Sequence, residues 1–259
     1  MEKVREMISS YRRRAREEFL EPLIKLIKID PGMYAVKIRI TNHYYMGMEN
    51  GNTAAFLYTD RAYAEEFAQG LRWSGVEAES LEIHAVQREA FFLDLVRSGF
   101  ESIVLDKSHE PMTLPLESFV DEKETAGLFM NPSLMRAACQ FYQGYLRQGK
   151  IKFLENQMCE ELYRARFLFP GADRKNGIPA MVAGGRGGRF CPVFTDWIEF
   201  EKFDKRQRFC AAPVRFRELK RLMGQADGIV INPFGFGLKL DMEKLLRIER
   251  EHSPIRVIK

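Results

Sequence analysis

"QADGIVINPFGFGLKLDMEKLL", residues 225–246, reads as an apolar strand, a sharp corner, a second short strand and the start of a helix. Asn232 stands before Pro233, and the residue before a proline is driven out of the helical region. Gly235 and Gly237 permit positive φ or a close backbone approach. The spacing therefore predicts strands at 228–232 and 237–240 and a helix at 241–251. Phe234 and Phe236 are either pinned into the core or displayed. Two readings follow: a tight turn that re-aims the chain, and an exposed aromatic turn that docks a partner.

The blocks around this corner occur twice. "AAFLYTDRAYAEEFAQ" starts at Ala54 and "FCPVFTDWIEFEKFDK" at Phe190, so that Thr59-Asp60 aligns with Thr195-Asp196 and Phe67 with Phe203. Downstream, "VQREAFFLDLVRSGFESIVLD" from Val86 matches "VRFRELKRLMGQADGIVIN" from Val214, each a short amphipathic helix, a loop and an Ile/Val strand. Order is preserved throughout, which predicts two tandem copies of one domain, residues 1–126 and 127–259. The boundary falls in 121–131, where "DEKETAG" precedes "MNPS". Only the corner breaks the match: "LDKSHEPMTL" has no Asn-Pro-Phe-Gly.

Periodicity places the other elements. In the first half it gives a helix at 9–28, strands near 34–40 and 54–58 joined by a loop containing "MENGNT", and a helix at 60–72. A strand at 79–85, a helix at 87–98, strands at 102–106 and 112–115 and a helix from 116 follow. In the second half come helices at 131–147 and 151–163, strands near 165–169, 178–183 and 189–194, and a helix at 196–205. A strand near 208–213 and a helix at 215–224 lead into the corner. Without strict βαβ alternation, and with hairpin-length connections, this is an α+β chain with mixed sheets packed with helices.

Charge is uneven. Residues 1–126 hold 16 Lys and Arg against 22 Asp and Glu, and residues 127–259 hold 24 against 14. The halves attract one another, or the basic half meets an anionic partner. No stretch approaches the roughly 18 apolar residues of a membrane span, and the mixed charges of "MEKVREMISSYRRRAREEF" do not fit a signal peptide, so the expectation is a cytoplasmic chain. Cys139, Cys159, Cys191 and Cys210 form no Cys-x-x-Cys pair, each lies in an apolar stretch, and they read as buried or half-buried free thiols.

No motif in the chain completes a catalytic constellation. "AGGRGGRF" (183–190) carries Arg186 and Arg189 among glycines but lacks the Lys-Ser/Thr of a phosphate loop and the spacing of a dinucleotide fingerprint, so it reads as a hairpin turn. Asp60 and Asp196 read as helix caps, and Trp197, Phe200 and Phe203 as a core-facing stripe. His43, His84, His109 and His252 lack metal-ligand spacing. No nucleophile elbow is present. The run "KFDKRQRF" (202–209) is a solvated charged face, or a surface for nucleic acid.

The segments "CPVFTDWIEFEKF" and "ADGIVINPFGFGLKLDMEKL" give residues 150–250 a resemblance to the N-terminal domain of the SseB family, the bacterial enhanced serine sensitivity proteins. The resemblance implies no known reaction, cofactor or catalytic residue, and favours a non-enzymatic binding protein with a protein partner. The candidate contact residues are Asn232, Pro233, Phe234, Gly235, Phe236, Arg186 and Arg189. Alternatives are binding of nucleic acid or another anion by the basic half, and an enzyme with a cleft between the two copies.

Overall fold

In a computed structural model of the chain, which describes residues 2–14, 19–29, 32–109, 111–149, 151–175, 177–183 and 188–252, the backbone divides into two units, Met1–Leu128 and Phe129–Lys259. The fold is α+β with mixed sheets.

The first unit runs α1 (Glu2–Arg14), α2 (Leu20–Ile29), β1 (Met33–Ile38), β2 (His43–Tyr44), β3 (Met46–Glu49), β4 (Asn52–Tyr58), α3 (Arg61–Trp73), β5 (Ala78–Ile83), α4 (Arg88–Arg97), β6 (Ser102–Leu105), β7 (Met112–Pro115) and α5 (Glu122–Thr125). Strand β6, Ser-Ile-Val-Leu, is buried along its whole length, as a strand covered on both faces must be. It pairs in parallel with β4 and antiparallel with β7. Strand β1 joins the end of β4 through Tyr34 and Tyr58 and pairs with β5 on its other side. The guanidinium of Arg88, itself buried, donates to the carbonyls of Ile83 and Ile27 and so ties β5 to α2.

The second unit runs α6 (Pro132–Gln148), α7 (Lys152–Arg164), β8 (Arg166–Pro170), β9 (Val182–Ala183), β10 (Arg189–Val193), α8 (Trp197–Phe203), β11 (Ala211–Arg215), α9 (Phe216–Leu222), β12 (Gly228–Ile231), β13 (Leu238–Asp241) and α10 (Met242–His252). Its buried strand is β12, Gly-Ile-Val-Ile, parallel to β10 and antiparallel to β13. Leu168 of β8 bridges Phe194 at the end of β10, and β8 pairs with β11. Thus β5-β1-β4-β6-β7 in the first unit has the same order and directions as β11-β8-β10-β12-β13 in the second. The turn after the buried strand also has one length: Leu105 faces Met112, and Ile231 faces Leu238.

Alternation along the strands sends side chains to opposite faces. Phe167, Cys191 and Val193 join Ile229 and Ile231 in a large core under α6, α7, α9 and α10. Leu168 and Phe194 face the other way and meet Phe200 of α8 in a second, smaller cluster.

Several expected elements differ. The stretch expected to join β1 and β4 as a loop pairs back at both ends: β2 on β1 across a turn in which Asn42 takes φ 55°, and β3 on β4 across Asn50 and Gly51, whose positive φ (51° and 83°) makes a two-residue hairpin turn. The helix expected over 9–28 is α1 and α2, with 15–18 outside the described residues. From residue 116 only a 3-10 turn and the four-residue α5 form, since the run Asp-Glu-Lys-Glu-Thr at 121–125 has no apolar residue to bury a helix face. The strand near 178–183 is limited to Val182–Ala183. The strand expected at 208–213 starts at Ala211, because the Asp204 carboxylate accepts from the N–H groups of Arg208 and Phe209 (2.8 and 2.9 Å) and curls the chain first.

Gly228 opens β12 where β13 crosses closest. A β-carbon there would lie 2.2 Å from the Leu240 carbonyl oxygen and 2.9 Å from the Asp241 α-carbon. Both are backbone atoms of a paired strand and cannot move aside. Gly228→Ala is expected to cost about 1–3 kcal/mol by overpacking, read as a lower urea midpoint with an unchanged slope.

Candidate interaction site

The corner is built where a parallel ladder ends. The Asn232 N–H donates to the Val193 carbonyl (2.9 Å) and continues the β10–β12 ladder by one bond. Asn232 then takes φ 47°. That left-handed conformation is open to Asn and Asp more than to other side chains. It swings the amide back along the ladder, where Oδ1 accepts from Thr195 N–H (3.0 Å) and Nδ2 donates to Thr195 Oγ1 (2.8 Å). The hydroxyl of Thr195 passes its own hydrogen to Asp196 Oδ2 (2.7 Å), and Asp196 Oδ1 accepts from Glu199 N–H (2.9 Å) at the start of α8. All four residues are buried. The Asn232 carbonyl accepts from the N–H groups of both Gly235 and Gly237 (2.8 and 3.0 Å), which closes the turn.

This turn points its two phenylalanines in opposite directions. Phe236 is buried in the large core, with its ring 6.1 Å from Tyr142. Phe234 is 54% exposed and touches Phe203 of α8, ring centroids 6.5 Å apart. Of the candidate contact residues, Asn232 and Phe236 are therefore internal, Phe234 is displayed, and Pro233 and Gly235 hold it out. Arg189 opens β10, at the opposite end of the ladder from the corner, and its N–H is held by Asp227 Oδ2 (2.8 Å). It does not share a site with Phe234. Arg186 lies outside the described residues.

The first unit has a corner of the same geometry, against the expectation from "LDKSHEPMTL". Asp106 takes φ 47°, and its N–H donates to the Leu57 carbonyl (2.8 Å). Its carboxylate accepts from Thr59 N–H (2.7 Å) and from Thr59 Oγ1 (2.8 Å). A carboxylate cannot donate, so the Thr59 hydroxyl gives its hydrogen to Asp106, and Arg5 Nε donates to the oxygen instead (2.8 Å). Arg5 also pairs with Asp60 (2.9 Å), and that hydrogen bond, with one from the Ala62 N–H, holds the Asp60 carboxyl below its ordinary value. The ring pair beside the corner recurs too: Tyr58–Phe67 at 5.9 Å and Phe194–Phe203 at 5.4 Å.

The stripe expected to face the core does so only in part. Phe200 is buried, Phe203 is half-buried, and Trp197 is 41% exposed beside its edge contact with Phe200. In the basic run, Lys202 pairs with the buried Glu199 (2.6 Å) and Arg208 with the buried Asp173, so two cations serve the fold. Lys205 and Arg206 project from the turn into solvent. Cys139, Cys159 and Cys191 are buried, but Cys210 is exposed, because the turn closed by Asp204 carries it out to the start of β11; Arg174 Nε lies 3.1 Å from its sulfur. Among the described residues, no group of three or more His, Cys, Asp or Glu is placed to hold a metal ion, and no helix is long and apolar enough to cross a membrane.

The second unit is thus an α+β module whose parallel ladder ends in a buried Asn-Thr-Asp corner. Residues 149–246 match the family model of the SseB protein N-terminal domain, in agreement with the resemblance over 150–250. Among solved structures the chain is similar to Tic22 from Plasmodium falciparum, with 10% identity over 90% of this chain and 99% of that one and a TM-score of 0.22. It is also similar to Anabaena Tic22 (protein transport), with 12% identity over 78% of this chain and 84% of that one and a TM-score of 0.18. Likenesses of that size establish no shared fold. No curated protein matches the chain.

The corner makes a graded prediction. Asn232→Gly keeps φ but loses both bonds to Thr195, and is expected to cost about 1–3 kcal/mol for the buried N–H left without an acceptor. Asn232→Ala adds the left-handed strain of a residue with a β-carbon and is expected to cost about 1–2 kcal/mol more. Asn232→Asp places a second carboxylate against the hydroxyl already given to Asp196, so its folded-state pKa is raised. That variant is expected to be nearest wild type below about pH 4 and to lose stability as pH rises through its folded pKa. Urea melts across pH check the order; a pH-independent Asn232→Asp would remove the proton-sharing account.

Proposed function

We propose that this chain is a non-enzymatic interaction protein whose contact surface lies on the α8 face of the second unit and centres on Phe234. The observation that carries the reading is the pairing of a fully buried hydrogen-bonded corner with a displayed ring two residues later. Asn232 spends its side chain inside, Phe236 anchors the far end, and Phe234 is held in water between them. An aromatic side chain fixed in place before binding loses little conformational entropy when it is covered, which is what a contact hot spot requires. The match to the SseB N-terminal domain supports a binding role.

The two units are, in this reading, diverged copies of one domain. The common strand order, the common turn length and the paired corners of Asp106 and Asn232 support it. The first copy keeps the corner but has Lys107, Ser108 and His109 where the second has Pro233, Phe234 and Gly235. His109 is drawn back against Tyr63 (ring centroids 3.6 Å) and pairs with Glu66 (3.2 Å), so the display belongs to the second copy alone.

The test is affinity capture from the native cell with the full chain as bait. Phe234→Ala removes an exposed ring and is expected to leave the melting temperature within a few degrees, a shift of about 0.5 kcal/mol. It is also expected to lower recovery of the specific partner at least about tenfold. Equal recovery by the folded variant would take Phe234 out of the contact surface.

A further inference from the structure

The chain has seven asparagines, at 42, 50, 52, 131, 156, 176 and 232. An asparagine side chain can close a ring onto its own main chain when the N–H of the next residue is free to reach the side-chain amide. The residue that follows therefore decides which asparagine reacts. Asn131 and Asn232 precede prolines, whose nitrogens carry no hydrogen. After Asn42, the His43 N–H donates to Thr41 Oγ1 (3.3 Å). After Asn52, the Thr53 N–H donates to Glu101 Oε2 (2.8 Å). After Asn156, Gln157 lies inside α7, where its N–H is taken up by the helix.

The two asparagines left both precede glycine, as Asn50-Gly51 and Asn176-Gly177. Glycine has no β-carbon to obstruct the approach. Asn176 itself lies outside the described residues, but the Gly177 N–H donates to the Asp173 carbonyl (2.8 Å). Gly51 is different. It shares the tip of the β3–β4 hairpin with Asn50, and both are exposed. Neither its N–H nor the Asn50 side-chain amide makes a hydrogen bond among the described residues. A β-carbon added at Gly51 would meet nothing within 4 Å, so no neighbouring group shields the tip.

The hairpin is tied to the corner of its unit. Glu49, the last residue of β3, pairs with Lys107 (2.6 Å), which follows Asp106 in the chain. The same ammonium stands 5.7 Å from the centroid of the Phe56 ring on β4.

We infer that Asn50 is a site of spontaneous hydrolytic modification, and that its conversion releases β3 from β4. The Gly51 nitrogen attacks Asn50 Cγ. A nitrogen–carbon bond forms, the bond to the side-chain nitrogen breaks, and ammonia leaves with the proton given up by Gly51. A cyclic imide remains. Water then adds across either of its carbonyl–nitrogen bonds. One opening gives aspartate on the original main chain. The other gives isoaspartate, whose main chain runs through the former side chain and is lengthened by a methylene. A two-residue turn with φ 51° and 83° cannot take in that methylene and keep Glu49 opposite Asn52. Isoaspartate therefore unpairs β3 and draws Glu49 away from Lys107. This chemistry is independent of the contact surface on α8.

The test incubates the full chain in mildly alkaline buffer and follows the peptides holding Asn50 and Asn176 by mass spectrometry. In the folded chain Asn50 is expected to convert about fivefold faster than Asn176, the ratio that one net backbone hydrogen bond at Gly177 supplies. In urea that bond is gone and glycine follows both asparagines, so the two rates are expected to converge. The isoaspartate form, separated from the unconverted chain, is expected to exchange its amide hydrogens faster across Met46–Glu49. Conversion of Asn176 as fast as Asn50 in the folded chain would overturn the inference. So would a preference for Asn50 that persists unchanged in urea, since the local sequence and not the fold would then set it. An isoaspartate form that exchanges like the unconverted chain over Met46–Glu49 would overturn the release of β3.

Discussion

A parallel pair of strands has to end, and at its end one backbone N–H is left without a ladder carbonyl. In both units that N–H belongs to a threonine, Thr59 or Thr195, and is taken by the side chain of the residue that leaves the neighbouring strand. The requirement is narrow. The residue must turn to a left-handed backbone, carry an acceptor oxygen on a short side chain, and tolerate complete burial. Asn and Asp meet all three. The α-helix that follows each threonine and the turn that follows each Asn or Asp take their directions from this one junction.

The choice between amide and acid then reorganises what surrounds it. With Asn232 the hydrogen-bond chain runs from amide to hydroxyl to Asp196 and on to the first turn of α8, all inside the unit. With Asp106 the hydroxyl is turned around, and a cation from outside the sheet, Arg5 of α1, completes it. The acidic corner thereby recruits α1, whose Val4 and Ile8 are buried. The amide corner needs no such helix, and the α8 face beside it is left with a thin aromatic cover. A single difference in donor capacity separates a corner completed by a cation of α1 from one completed by its own amide.

Much of the architecture was legible from the residues. Ile/Val runs in β6 and β12, the caps at Asp60 and Asp196, and the repeated Thr-Asp blocks are local patterns, and local patterns report strands, helix starts and their order. The β3–β4 hairpin is not legible from periodicity although Asn50-Gly51 is its own signal, because the apolar alternation of Met46–Glu49 is short and broken by Gly47. The geometric likeness of Asp106 and Asn232 is not legible in the sequence. Aligned letters show Lys-Ser-His against Pro-Phe-Gly, while the shared feature is a φ of 47° and two bonds to a threonine distant in the chain. The candidate site was half visible: Phe234 and Phe236 were singled out together, and packing alone separated the displayed ring from the buried one.

Local pattern suffices for the elements, their order and the residue at which each parallel ladder stops, since these follow from backbone chemistry and periodicity over a few neighbours. Tertiary structure decided which way each side chain faces and which distant groups it meets. It placed Trp197 half in water, moved Arg189 to the far end of the ladder, and brought Cys210 to the surface. Those outcomes depend on contacts between residues tens of positions apart, and such contacts exist only once the strands have paired.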